Sequence, residues 1–95
     1  MNINKKNIIN ALENLIIEYN LRNSISDTHE WYLFNNTIKY IYSLKTVNTP
    51  SDIKNAAITY GMFCTESMDW DTELYKECVA LMKMGHKLAR VSTAS

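Results

Sequence analysis

Four side chains of this 95-residue chain belong to types that ligate metals or form nucleophile and base pairs: His29, Cys64, Cys78 and His86. A zinc site draws its ligands from short paired spacings that place two donors on one turn or one helix face. None of the four stands in such a pair, and Cys78 and His86 do not fall on neighbouring rows of a helix. A cysteine nucleophile activated by histidine also needs backbone donors for the developing oxyanion. With only two glycines in the chain, no elbow or glycine-rich turn surrounds either cysteine. Phosphate-loop and dinucleotide-binding patterns are absent from the sequence as well. The chain therefore reads as a protein without catalytic residues, metal or cofactor. Cys64 and Cys78, on the apolar faces of their helices, read as buried, reduced thiols.

Charge offers a second kind of chemistry. Ten basic and ten acidic residues cancel, so no global field draws the chain to nucleic acid or an anionic membrane. Charge is nevertheless clustered locally. The segment MKMGHKLAR holds Lys83, His86, Lys87 and Arg90, and the preceding stretch holds Glu66, Asp69, Asp71 and Glu73. On a helix, Lys83, Lys87 and Arg90 project almost opposite the stripe Leu74, Cys78, Leu81 and Leu88, with His86 at its border. Acids at the start of a helix and bases near its end suit the macrodipole. That accounts for both clusters, and the functional alternative is a basic patch that binds a partner. Gly85 interrupts the apolar face, where a helical glycine costs about 1 kcal/mol against alanine. A close neighbour is expected there, either another helix of the same chain or a subunit or ligand.

Ala57 and Gly61 have the spacing of the alanine and turn glycine of a DNA-binding helix-turn-helix. Ser67 then occupies a position that should be apolar, and the would-be recognition helix is acidic where it would meet phosphate. Nucleic acid is accordingly not an expected partner, and Gly61 reads more simply as a turn or helix-ending glycine. The aromatics Trp31, Tyr32, Phe34, Tyr40, Tyr42 and Tyr60 exceed what a small core needs. With Lys39 and Lys45 nearby they could stack a nucleotide or similar anion, but tyrosine and tryptophan serve more often as protein-binding hot spots.

These residues are positioned by helices. Scarce glycine, a single proline and 46% apolar residues favour a few long elements. Ile8, Leu12, Leu15, Ile16 and Tyr19 mark one face of a first helix that ends near Asn20, Asn23 and Ser24. Asp27 with Glu30 suggests a capping box for a second, whose stripe is Trp31, Phe34, Ile38 and Ile41, with Leu33, Tyr40 and Leu44 close beside it. Thr49 and Pro50 open a third, with Ile53, Ala56, Ala57, Tyr60, Phe63 and Cys64 facing inward. Asp69 or Asp71 caps a fourth, and the tail 91–95 reads as frayed. The expected fold is all-α: a single-domain bundle of four helices with short connections over residues 1–95. The N-terminal apolar stretch is interrupted at every turn by polar residues, as neither a signal peptide nor a membrane span would be.

The expected function is a non-enzymatic, cytoplasmic protein that binds and modulates a macromolecular partner. Asparagine, isoleucine and lysine usage fits an AT-rich genome, so an accessory inhibitor from a bacteriophage or mobile element is one form this could take. A nucleotide-binding module and a DNA-binding regulator are the alternatives. A homodimer is also expected, through Tyr32, Tyr42 and Met84 left outside the core and a seam at Gly85, with Lys83, Lys87 and Arg90 as further partner-binding candidates.

Overall fold

The computed structural model describes residues 4–68 and 70–94, the last three for the backbone only. Four α-helices follow one another: α1 (Lys5–Glu18), α2 (His29–Thr46), α3 (Pro50–Ser67) and α4 (Glu73–Ala94). One 3₁₀ turn, Leu21–Asn23, lies between α1 and α2. Among the described residues there are no strands, and the molecule measures 42 × 23 × 21 Å. The all-α, four-helix reading holds. No described helix is long and apolar enough to cross a membrane.

Local chemistry explains most helix ends. The Asn4 side chain accepts the Asn7 N–H at 2.8 Å to start α1, and Asn20 adopts a left-handed conformation (φ 52°) that stops it. Asparagine tolerates this region better than most residues. Thr49 opens α3 as expected: its hydroxyl accepts the Asp52 N–H at 3.2 Å and donates to the Asp52 carboxylate at 2.7 Å, with Pro50 in the first turn.

Two expected caps move by a residue or more. Asp27 takes a positive φ of 66°, outside the extended geometry a cap requires, so Thr28 caps α2 by accepting the Trp31 N–H at 3.3 Å. At α4 the cap is Thr72, whose hydroxyl accepts the Tyr75 N–H at 3.1 Å; Asp69 lies outside the described residues. The fourth helix also runs on to Ala94, through the tail that the sequence gives no reason to order.

The core is built from one face of each helix: Ile8, Leu12, Leu15 and Ile16 of α1; Leu33, Tyr40, Ile41 and Leu44 of α2; Ile53, Ala57, Tyr60 and Cys64 of α3; Cys78, Leu81, Leu88 and Ala89 of α4. On α2 the buried face is centred on Leu33, Thr37, Tyr40 and Leu44, not on the expected stripe. Ile38 is exposed, while Trp31 and Phe34 are only half-buried. Thr37 hid this face from an apolar count. It is a fully buried polar residue whose hydroxyl pairs with the Tyr60 hydroxyl at 2.9 Å.

Candidate functional site

The α3–α4 pair is the most extensive helix contact among the described residues, and both glycines lie in it. A Cβ at Gly85 would stand 2.1 Å from the Tyr40 hydroxyl and 3.0 Å from Ala57 Cβ. Glycine leaves this room so that the Tyr40 phenol, reaching from α2, can donate to the Leu81 carbonyl at 3.1 Å. Gly61 likewise lies inside α3 with ordinary helical backbone, and a Cβ there would meet Met82 Cγ at 2.9 Å. Two expectations are corrected by this geometry. Gly61 neither turns nor ends a helix, and the continuous α3 leaves a helix-turn-helix no turn. Gly85 faces its own chain, so it offers no seam to a second subunit.

Tyr40 and Tyr60 stack with their ring centroids 4.7 Å apart. Burial drives both phenols well above the ordinary tyrosine range, an effect that the Thr37 bond partly offsets at Tyr60. They stay neutral donors and acceptors. Among the described residues no buried side-chain oxygen or nitrogen lacks a partner.

A solvent-open groove borders this buried tyrosine stack. Between α2 and α3 runs a groove of about 700 Å³, lined by Ile38, Lys39, Tyr40, Tyr42, Ser43 and Val47 from one side and Asp52, Asn55, Ala56, Thr59 and Tyr60 from the other. Its floor is the buried tyrosine pair. At its border Tyr42 is 67% exposed and Ile38 38% exposed. The charged residues that line it, Lys39 and Asp52, are of opposite sign, Lys45 is not among them, and the Lys5 ammonium donates to the carbonyl of the lining residue Val47.

A second cleft, of about 400 Å³, lies where the start of α2 meets the α3–α4 connection, lined by Thr28, His29, Glu30, Leu33, Met68, Thr72 and Leu74. In the same connection Trp70 is 62% exposed, with its indole N–H donating to the Thr65 carbonyl at 2.9 Å. It thereby occupies one of the carbonyls that a helix end leaves unpaired.

The residues singled out in the sequence are scattered by the fold. Tyr42 joins the groove. Tyr32, also exposed, instead donates to the Asp27 carboxylate at 3.2 Å, a bond that raises its pKa. Met84 is half-buried against the core, and Gly85 is buried. Lys83, Lys87 and Arg90 are exposed and line neither cavity.

Dipole complementarity at the helix end covers less than expected, because α4 continues a full turn beyond Arg90 and the last turn holds no base. The helix field acts within the terminal turn, so it cannot account for Lys83 or Lys87. Glu66 belongs to the last turn of α3, and only Glu73 is an acid of the first turn of α4. Sequence reading missed Ile38 as a surface residue, and it missed Trp70. Thr37 was the available signal for the first, since rotating the α2 face to bury Thr37 turns Ile38 outward.

Among the described residues no three His, Cys, Asp or Glu side chains converge as a metal site would require. His29 lines the second cleft while His86 sits on α4. Cys64 and Cys78 are fully buried free thiols. No family model, curated protein or solved structure matches this chain.

Proposed function

We propose that this protein is a non-enzymatic binding protein that modulates a protein partner by presenting the α2–α3 groove and its rim. The observation that carries this reading is the exposed Tyr42 and Ile38 bordering an open groove floored by rigid, stacked tyrosines. Anchors at protein interfaces are typically aromatic residues beside a preformed pocket, with a polar rim. Lys39, Asp52, Asn55 and Thr59 supply such a rim, and its balanced charges favour hydrogen-bonding specificity over attraction of one sign of charge.

The test compares three forms of the protein as bait: wild type, Tyr42→Ala with Ile38→Ser, and Lys83→Glu with Lys87→Glu and Arg90→Glu. Circular dichroism first establishes that all are folded. A partner retained by wild type and by the charge variant but lost by the groove variant supports the reading. Loss only in the charge variant moves the site to α4. A stabilising nucleotide in a thermal-shift panel, through mass action, would replace the protein-binding reading with a small-ligand one. Sedimentation velocity decides whether the partner is a second copy. A homodimer has twice the 11.0 kDa chain mass, and it supports groove-mediated self-association only if the groove variant returns to monomer.

A further inference from the structure

The two glycine contacts fix how α3 and α4 face each other. Ala57 lies opposite Gly85 and Gly61 lies opposite Met82, so one turn forward along α3 matches one turn back along α4. One more turn toward the connecting loop sets Cys64 opposite Cys78. Both are 0% exposed and neither is in a disulfide. The neighbouring thiol together with burial pushes Cys64 up, while Cys78 is lowered by its thiol neighbour against the effect of burial. The glycines keep the helix backbones close at the neighbouring turns, and such closeness is the condition for a disulfide, whose Cα atoms lie within about 7 Å.

We propose that Cys64 and Cys78 form a latent disulfide site, closed by an oxidant of the glutathione-disulfide class, that ties the last turn of α3 to the second turn of α4. The exchange has two steps. A thiolate of the pair attacks glutathione disulfide, forming a mixed disulfide and expelling one glutathione thiolate. The second cysteine, deprotonated, then attacks the protein sulfur of that mixed disulfide and expels the other. Two cysteine S–H bonds are lost and one S–S bond is formed. The two protons end on two glutathione thiols, so the cysteines are oxidised and the glutathione disulfide is reduced. Access requires only that the loop end of the α3–α4 hairpin opens, because Cys64 lies in the last turn of α3 and Cys78 near the start of α4. Opening at element ends costs less than global unfolding.

The experiment exposes the reduced full chain, under native conditions, to excess glutathione disulfide at pH about 8.5, near the ordinary thiol pKa. Intact mass, non-reducing electrophoresis and thermal unfolding are followed together. The expected product is a monomer that has lost two hydrogens, has no thiol left after denaturation and melts about 5 °C or more above the reduced form. Cys64→Ala and Cys78→Ala should each give a single glutathione adduct and no such rise. Two adducts on wild type, a disulfide-linked dimer, a closed form that melts below the reduced one, or thiols that react only in denaturant would each overturn the proposal.

Discussion

The two flanks of α3 solve packing in opposite ways. Toward α4, Gly61 and Gly85 remove side chains where the helices cross, and the space is filled by Met82 and by a phenol donated from α2. Toward α2, the small residues Ala56 and Thr59 line a groove that stays open to water. Small side chains by themselves therefore do not mark a contact. What separates the flanks is whether a side chain from a neighbouring helix fills the space that the small residues leave. Tyr40 finds the Leu81 carbonyl across the α4 seam. The buried tyrosines that line the groove have their hydroxyls turned to inner partners.

The strongest attempt to break this contrast is a side chain at Gly85. Gly85→Leu should destabilise by about 3 kcal/mol or more, since overpacking adds to loss of the Tyr40 bond. Gly85→Ala should also destabilise, by about 1–2 kcal/mol, even though alanine is the better helix former. Combining Gly85→Ala with Tyr40→Phe should recover part of that loss, because the atom standing 2.1 Å away is the hydroxyl that phenylalanine lacks. Chemical denaturation of the four forms measures the coupling, and simple additivity would mean the seam is looser than drawn.

Next in size is Thr37→Val, which keeps the shape and removes the partner of the Tyr60 hydroxyl. A loss of about 1–2 kcal/mol is expected. An unchanged denaturation midpoint would show that Tyr60 is satisfied without Thr37.

A third effect depends on pH and concerns the edge of α4 that faces α1. Tyr19 donates to the Glu77 carboxylate at 2.5 Å, and this bond, followed by burial, pushes its pKa from the ordinary 10.0 up to about 12. The folded state holds that proton more tightly than the unfolded chain does. Its contribution is thus complete below pH 10.0 and is lost as pH rises through about 12. Wild type should lose stability across that alkaline window. Tyr19→Phe should lose less there, as thermal midpoints at a series of pH values will record.

Smaller changes are expected on the water-facing surfaces. Reversing Lys83, Lys87 and Arg90 to Glu should cost under about 1 kcal/mol, with the cost falling further in high salt, because the row is exposed and mostly distant from the helix end. Tyr42→Ala should shift stability by no more than about 0.5 kcal/mol. A larger loss from Tyr42→Ala in thermal unfolding would mean that the groove rim is part of the core, and the contrast between the flanks would fail.

Local sequence determined the number and placement of the helices. Apolar spacing at the helical period, Thr49 with Pro50, and the asparagines after α1 each act within a few residues, where backbone geometry and capping chemistry decide the outcome. The inner faces of α3 and α4 were legible for the same reason, since apolar residues there recur at every turn. Tertiary structure decided which way α2 turns, because the buried Thr37 hydroxyl is met by the Tyr60 hydroxyl of another helix, and Tyr60 is distant in sequence. It also decided the meaning of the two glycines and the meeting of Cys64 with Cys78, which depend on the register between helices. The candidate groove has the same origin. Tyr42 could be picked out as an aromatic off the main stripe, but an open space between two helices is a property of their separation, which no spacing along one chain segment records.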